Sequence, residues 1–346
     1  MMVRRFAVVC GVAAALVTLA VVGYPESWNG IPAPDSPRTK YGTSVVVLDD
    51  GRVIVYGGED YRGDLQNTIV GFWNDKWMQL RTTNSPPARL GASLTQVSHH
   101  EVALYGGVGE SGVLNDLWIL DIDTGEWRQV RVGNAPPPRR FHVAFYYEGT
   151  LYIAGGVGND GKPRRDLWGY HLESNAWTQR PDAPEDFWGA YATVSCESPC
   201  TAVILGPVSL AYDLVKGEWR PLNTRGNVPP PKYLAAFARR GDRIDMFGGL
   251  YTNGQKVYST PCHFSYDLAT GSWIYHHGVP SPFEDTGLWG AQAFWYEDHV
   301  RIEGGLLGWK CAELLFAALL SGVHPFLASL PPECYGWNKN VYEWHP

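Results

Sequence analysis

The segment Asp116-Leu-Trp-Ile-Leu-Asp-Ile-Asp-Thr-Gly-Glu-Trp127 returns almost unchanged as Asp166-Leu-Trp-Gly-Tyr-His-Leu-Glu-Ser-Asn-Ala-Trp177, and looser copies close at Trp77, Trp219, Trp273 and Trp344. The closing tryptophans follow one another at intervals of 50, 50, 42, 54 and 71 residues. Upstream of each lies an apolar run ending in glycine. Five of these runs are Val53-Ile-Val-Tyr-Gly-Gly58, Val102-Ala-Leu-Tyr-Gly-Gly107, Leu151-Tyr-Ile-Ala-Gly-Gly156, Ala202-Val-Ile-Leu-Gly206 and Ile244-Asp-Met-Phe-Gly-Gly249. The sixth, Val300-Arg-Ile-Glu-Gly-Gly305, is more polar. Short β-runs repeated at a period of about 50 residues predict small sheets set around an axis, because one such unit cannot bury its own faces.

Each unit reads as four strands, lettered a to d. In the third unit, strand a starts at Phe141, strand b runs from Leu151 to Gly156, strand c from Asp166 to His171, and strand d begins near Trp177. The a–b and c–d links, Glu148-Gly149 and Glu173-Ser-Asn175, have hairpin chemistry. The shortened fourth unit runs almost directly from strand b into Leu210, and the lengthened sixth carries an insertion over 306–332. Within it, residues 312–320 read as a short apolar helix ended by Gly322 and Pro325, too short to span a bilayer.

A diglycine after a β-run, an aromatic before an Asp-x-x-Thr/Ser-Gly/Asn turn, and a Trp about six residues past that Asp together resemble the kelch repeat. The resemblance covers residues 37–346 and implies an all-β, six-bladed propeller of four antiparallel strands per blade. Trp344 fits the closing strand of the last blade. Trp28, 49 residues before Trp77 and followed by Pro32-Ala-Pro34, fits the same slot, so the closing strand is open between the two.

The N-terminus, Met-Met-Val-Arg4-Arg5 followed by an uncharged stretch from Phe6 to Gly23, has the form of an export signal over 1–23, either cleaved before Tyr24 or kept as an anchor. Residues 24–36 form a linking segment. The expected location is secreted or extracytoplasmic, with membrane contact only through residues 6–23. Without residues 1–23 the formal charge of −7 becomes about −9, since Arg4 and Arg5 are lost. An acidic domain with no basic stripe argues against nucleic acid as a partner.

Cysteine placement agrees with an oxidising compartment. Cys196 and Cys200 sit at a hairpin tip where a short disulfide loop is expected, and Cys311 and Cys334 flank the insertion and are expected to bridge its base. Cys262 is left over, and its pairing with Cys311 or Cys334 stays open. No Cys or His pair has metal-ligand spacing, so neither a metal nor any other cofactor is expected.

In a propeller the d–a and b–c loops share one face around the mouth of the central channel. Aligning the starts of strand a stacks Lys40, Arg89, Arg140 and Lys232 in one column, with Tyr41, Phe141, Trp188, Tyr233 and Trp289 in the next and His142 beyond. Four cations and an aromatic floor would receive an anionic partner. The alternative is structural: the cations fix neighbouring carbonyls or carboxylates. The charged b–c loops, Glu59 to Asp64, Asn159 to Asp166 and Tyr251 to Lys256, suit recognition. The Pro-rich segments before Arg89, Arg139 and Lys232 read as stiff connectors between blades.

The residues do not match the sites of enzymes built on similar repeats. The copper site of galactose oxidase, which resembles this chain in repeat type, has no matching set of histidines here, and the iron-binding pattern of plant specifier proteins is absent. No paired carboxylates or nucleophile–His–acid set can be assigned. The sequence therefore predicts a non-catalytic exported propeller that binds a protein or glycan. The anchors are Lys40, Tyr41, Arg89, Arg140, His142, Trp188, Lys232, Tyr233 and Trp289. The enzymatic alternative is a sugar isomerase similar to the exported kelch-type sialic-acid epimerases.

Overall fold

The computed structural model describes residues 40–60, 62–196, 199–252, 256–259, 262–276, 288–303, 305–307, 336–337 and 342–344. Five complete four-stranded antiparallel blades are seen. Blade one is Ser44–Val47, Val53–Tyr56, Ile69–Trp73 and Lys76–Gln79; blade two is Ser93–Gln96, Glu101–Tyr105, Leu117–Asp121 and Trp127–Val130. Blade three is Val143–Tyr147, Thr150–Ala154, Leu167–His171 and Ala176–Arg180; blade four is Tyr191–Ser195, Thr201–Leu205, Ser209–Asp213 and Glu218–Pro221. Blade five is Ala236–Arg240, Arg243–Phe247, His263–Asp267 and Ser272–Tyr275, with the short Arg225–Gly226 added in parallel to its outer strand. The strands are tied by tight turns: Glu148 and Gly149 both take positive φ, 39° and 77°, as a two-residue hairpin demands.

The expected count of six complete blades is corrected here. The sixth sheet has three described strands, Gln292–Tyr296, His299–Glu303 and Tyr342–Trp344. Trp344 pairs with Val300 and so lies in the third strand, not the closing one. The sequence placed it one strand too far out because the enlarged repeat hides the count between strand b and the Trp. The expected helical insertion at 306–332 falls mostly outside the described residues; where it begins, Leu306–Leu307 is a strand paired with Gly336–Trp337. Cys311 and Cys334 also lie outside. Cys196 and Cys200 are bonded, and Cys262 is free. Among the described residues no helix is long and apolar enough to cross a membrane, and residues 6–23 are not among them.

The core sits between the sheets. Alternation within each strand sends successive side chains to opposite faces, and each pair of neighbouring sheets closes on its own apolar cluster. Ile54, Tyr56 and Ile69 of blade one meet Leu94, Leu104 and Trp127 of blade two, and Val203 and Leu205 of blade four meet Ile244, Met246 and Trp273 of blade five. Phe294 of the sixth sheet packs with Val53, Val55, Phe72 and Trp77 of blade one, joining the last sheet to the first. The repeated aromatics fill the wide outer part of these wedges. Trp127 meets Tyr56 at a centroid distance of 5.6 Å, and Trp177 meets Tyr105 at 5.5 Å. Such pairs add about 0.5–1.5 kcal/mol to their burial. Both tyrosines also hold the proline connectors, Tyr56 donating to the Pro86 carbonyl at 2.9 Å and Tyr105 to that of Pro136 at 3.2 Å.

The diglycines set the spacing between blades. A Cβ on Gly57 would lie 2.4 Å from the Arg89 carbonyl oxygen, and one on Gly106 would lie 2.7 Å from that of Arg139. The following glycine uses that approach: the Gly58 and Gly107 amides donate to the same two carbonyls, each at 2.9 Å. Gly305 of the sixth sheet donates to the Lys40 carbonyl of blade one at 3.0 Å by the same rule.

Candidate ligand-binding face

The starts of the inner strands surround the axis and line a channel of about 260 Å³. A chain of backbone hydrogen bonds runs round it: Gly91 donates to Gly42, Phe141 to Gly91, Gly189 to Phe141, Leu234 to Gly189 and Gly290 to Leu234, at 2.7–2.8 Å. All six residues have positive φ, between 52° and 65°. Four of them are glycine. In blades three and five Phe141 and Leu234 accept a left-handed backbone that costs a side-chain-bearing residue about 1–2 kcal/mol.

This ring corrects the alignment of the cation column. Phe141 stands where blade two has Gly91, so the counterpart of Arg89 is Arg139 and not Arg140. Their contacts agree. Arg89 donates to the Pro87 and Gly106 carbonyls and forks onto Asp116 at 2.6 and 2.9 Å. Arg139 does the same to Pro137, Gly155 and, at 2.9 and 2.6 Å, Asp166. Each aspartate takes a further hydrogen bond at 2.6 Å, from Trp118 or Trp168. These arginines brace strand b against strand c from inside the blade. The sequence slipped by one residue because Arg139 and Arg140 are adjacent and only backbone conformation distinguishes them.

Arg140 instead enters the next column with Tyr41, Leu90, Trp188, Tyr233 and Trp289. That layer is nearly closed. Tyr41, Trp188, Trp289 and Arg140 are each at most 3% exposed, and Tyr233 is half-buried. Tyr41 meets Trp289 edge-on at 5.2 Å, and Trp188 meets Tyr233 at 4.8 Å. Val108, Val113, Val157 and Leu250 of the b–c loops complete this apolar cluster. Two charges are enclosed in the same region, Glu59 and Arg140. Burial raises the Tyr41 phenol well above its ordinary value, the Glu59 carboxylate adds to that, and Arg140 opposes it. Burial likewise lowers Arg140 to about 10 and Lys232 to about 8.

None of the four expected cations stands free: Arg89 is forked onto Asp116, Lys40 donates to the Thr68 hydroxyl, and Arg140 and Lys232 are buried and engaged. His142 is buried in the channel wall with its Nε2 2.8 Å from the Ser93 hydroxyl, and burial lowers it to about 3. What faces solvent around the mouth is the rim of loops, with charges of both signs: Arg62, Asp64, Glu110, Asp160, Lys162, Glu185, Asp186 and Lys256, together with Tyr258.

Another group that could hold an ion lies away from the mouth. Asp245 and His263, on adjacent strands of blade five, and His276, just past the outer strand, bring one ligand-capable atom each to within 4.8 Å of one another. The sequence reading found no ligand set because these residues are 18 and 13 positions apart and meet only through strand pairing. The available signal was alternation: Arg243-Ile-Asp-Met-Phe247 and His263-Phe-Ser-Tyr-Asp267 each place polar residues on one face.

Residues 25–196 match the KLHDC2/KLHL20/DRC7 Kelch-repeats domain. The chain belongs to the kelch-repeat family, and its fold is the kelch β-propeller. Among curated proteins it is 29% identical over 184 residues to the serine/threonine-protein phosphatase BSL2 of Arabidopsis thaliana, covering 48% of this chain and 18% of that protein. It is 25% identical over 184 residues to multiple epidermal growth factor-like domains protein 8 of Homo sapiens, covering 47% of this chain and 6% of that one. Adagio-like protein 1 of Oryza sativa subsp. japonica is 28% identical over 238 residues, 61% of this chain and 35% of its own. The matched region is thus a minor part of each of these relatives.

Proposed function

We propose that this chain is an exported, non-catalytic kelch propeller that binds a protein through the loop rim on its b–c/d–a face. The carrying observation is the closed layer of Tyr41, Arg140, Trp188 and Trp289, which leaves the mixed-charge rim as the surface a partner meets. Interleaved charges of both signs favour a protein surface of matching pattern over a simple anion. The matched relatives carry the kelch region as a small part of a larger protein, in keeping with a recognition module.

Trp28, the other candidate for the closing strand, lies outside the described residues.

A photo-crosslinking residue placed at Lys162 or Tyr258 tests the binding face, with Val215 on an exposed c–d turn as the control. A discrete protein adduct from the rim positions and none from Val215 is expected in extracts of the extracytoplasmic compartment. Equal labelling at all three, or a midpoint shift with acidic sugars alone, overturns the protein-binding reading. The intact mass of the exported chain, beginning at Tyr24 if cleaved, tests the location.

A further inference from the structure

One face of blade five breaks the pattern of the inter-blade core. In blade two, Ala103, Leu117, Ile119 and Val130 all belong to the apolar cluster shared with blade three. The same ladder positions in blade five hold Asp245, His263, Ser265 and His276: Ile119 pairs with Ala103 as Ser265 pairs with Asp245, and Leu117 pairs with Val130 as His263 bonds to His276. Asp245, His263 and Ser265 are at most 6% exposed, and His276 is half-buried. Four positions that carry hydrocarbon in blade two thus carry groups whose burial is costly unless their polar atoms are satisfied.

The four side chains point their polar atoms at one another. His263 Nε2 lies 2.9 Å from Asp245 Oδ1, the Ser265 hydroxyl donates to the same oxygen at 2.7 Å, and His276 Nε2 lies 2.6 Å from the Ser265 oxygen. The two imidazoles are stacked, with centroids 4.2 Å apart and planes 16° from parallel. Their Nε2 atoms reach the Asp245 carboxylate and the Ser265 oxygen that is bonded to it.

We propose that Asp245, His263 and His276 form a binding site for a first-row divalent transition-metal ion of the zinc type. Two imidazole nitrogens and one carboxylate oxygen are a zinc ligand set, with the fourth position left for water or an incoming group. Bonds of about 2.0–2.2 Å put ligand atoms roughly 3.3–4.2 Å apart, so an ion draws in the present spread of up to 4.8 Å and turns the stacked imidazoles out of parallel.

Arg243 is the built-in competitor. Its guanidinium donates to both Asp245 oxygens at 2.9–3.1 Å and to the Ser265 hydroxyl at 3.0 Å, and is 36% exposed. An arriving ion displaces it from Oδ1, so Arg243 weakens metal binding while holding the carboxylate in place without metal.

The test uses the full exported chain carrying His99→Ala and His100→Ala, because that exposed pair is an independent place for zinc. Zinc affinity is read by competition with a chromophoric chelator, and cobalt(II) is added as a spectroscopic probe. One equivalent of zinc is expected, with a strong visible cobalt band of a four-coordinate site. His276→Ala weakens binding at least 100-fold, and Arg243→Gln tightens it several-fold. Circular dichroism separates loss of the site from loss of the fold, and the Arg243→Gln gain does not depend on a destabilised variant. Substoichiometric zinc, a weak six-coordinate cobalt spectrum, or affinity indifferent to both changes overturns the proposal and leaves a hydrogen-bonded network only.

Discussion

Blades two and five share one backbone pattern and use it differently. Both contain an arginine–aspartate pair, with its exposure inverted. In blade two the Arg89 side chain is fully buried and Asp116 is 19% exposed; in blade five Arg243 is 36% exposed and Asp245 is fully buried. In blade two, as in blade three, the arginine is a brace, its donors divided between two backbone carbonyls and a carboxylate. In blade five the arginine caps a carboxylate that also serves two polar neighbours. Blades two and three keep the brace beside an apolar face, and blade five has neither at the matching positions. The brace counterparts in blade five are Lys232 and Cys262, a pair that cannot form the fork.

Removing each arginine sharpens this contrast. Arg139→Ala leaves the Asp166 carboxylate and two backbone carbonyls without their donor and opens a buried void. A loss of about 3–5 kcal/mol is expected, read from urea unfolding. Arg243→Ala leaves Asp245 bonded to His263 and Ser265 and removes a side chain that is 36% exposed, so a loss of about 1–2 kcal/mol is expected. Equal losses would break the distinction between brace and cap.

A pH-dependent effect separates blade three from its neighbours. His142 lines the channel where other blades place Thr43, Ala92, Ala190, Ala235 and Ala291. Burial lowers its imidazole from 6.5 to about 3. As pH falls through that window the unfolded chain takes up a proton that the folded chain does not. This group therefore lowers stability by up to about 1.4 kcal/mol per pH unit between those values and contributes no slope above 6.5. His142→Gln keeps a hydrogen-bonding group toward Ser93 and removes that slope. Urea midpoints of both proteins at pH 7, 5 and 4 should converge as pH falls; parallel curves would show that His142 takes its proton while folded.

Much of this was legible in the chain. The tryptophan period, the diglycines and the turn residues are local signals that follow from repetition, and they predicted the sheets and the Cys196–Cys200 bond. Where one repeat departed from the pattern, alignment failed. Arg140 was set beside Arg89 because nothing in the letters shows that Phe141 carries the left-handed backbone of a glycine. Trp344 was set in the outer strand because the insertion stretches the last repeat.

The sequence by itself determined that this chain is a ring of small β-sheets. A fixed period and the alternation within each strand are properties of the backbone and need no distant contact to be expressed. Only the tertiary structure decided what the mouth and blade five contain. The expected anchors Tyr41, Trp188 and Trp289 became interior because sheets from both ends of the chain converge on one axis. Asp245, His263 and His276 became one cluster because antiparallel pairing brings separated residues into register.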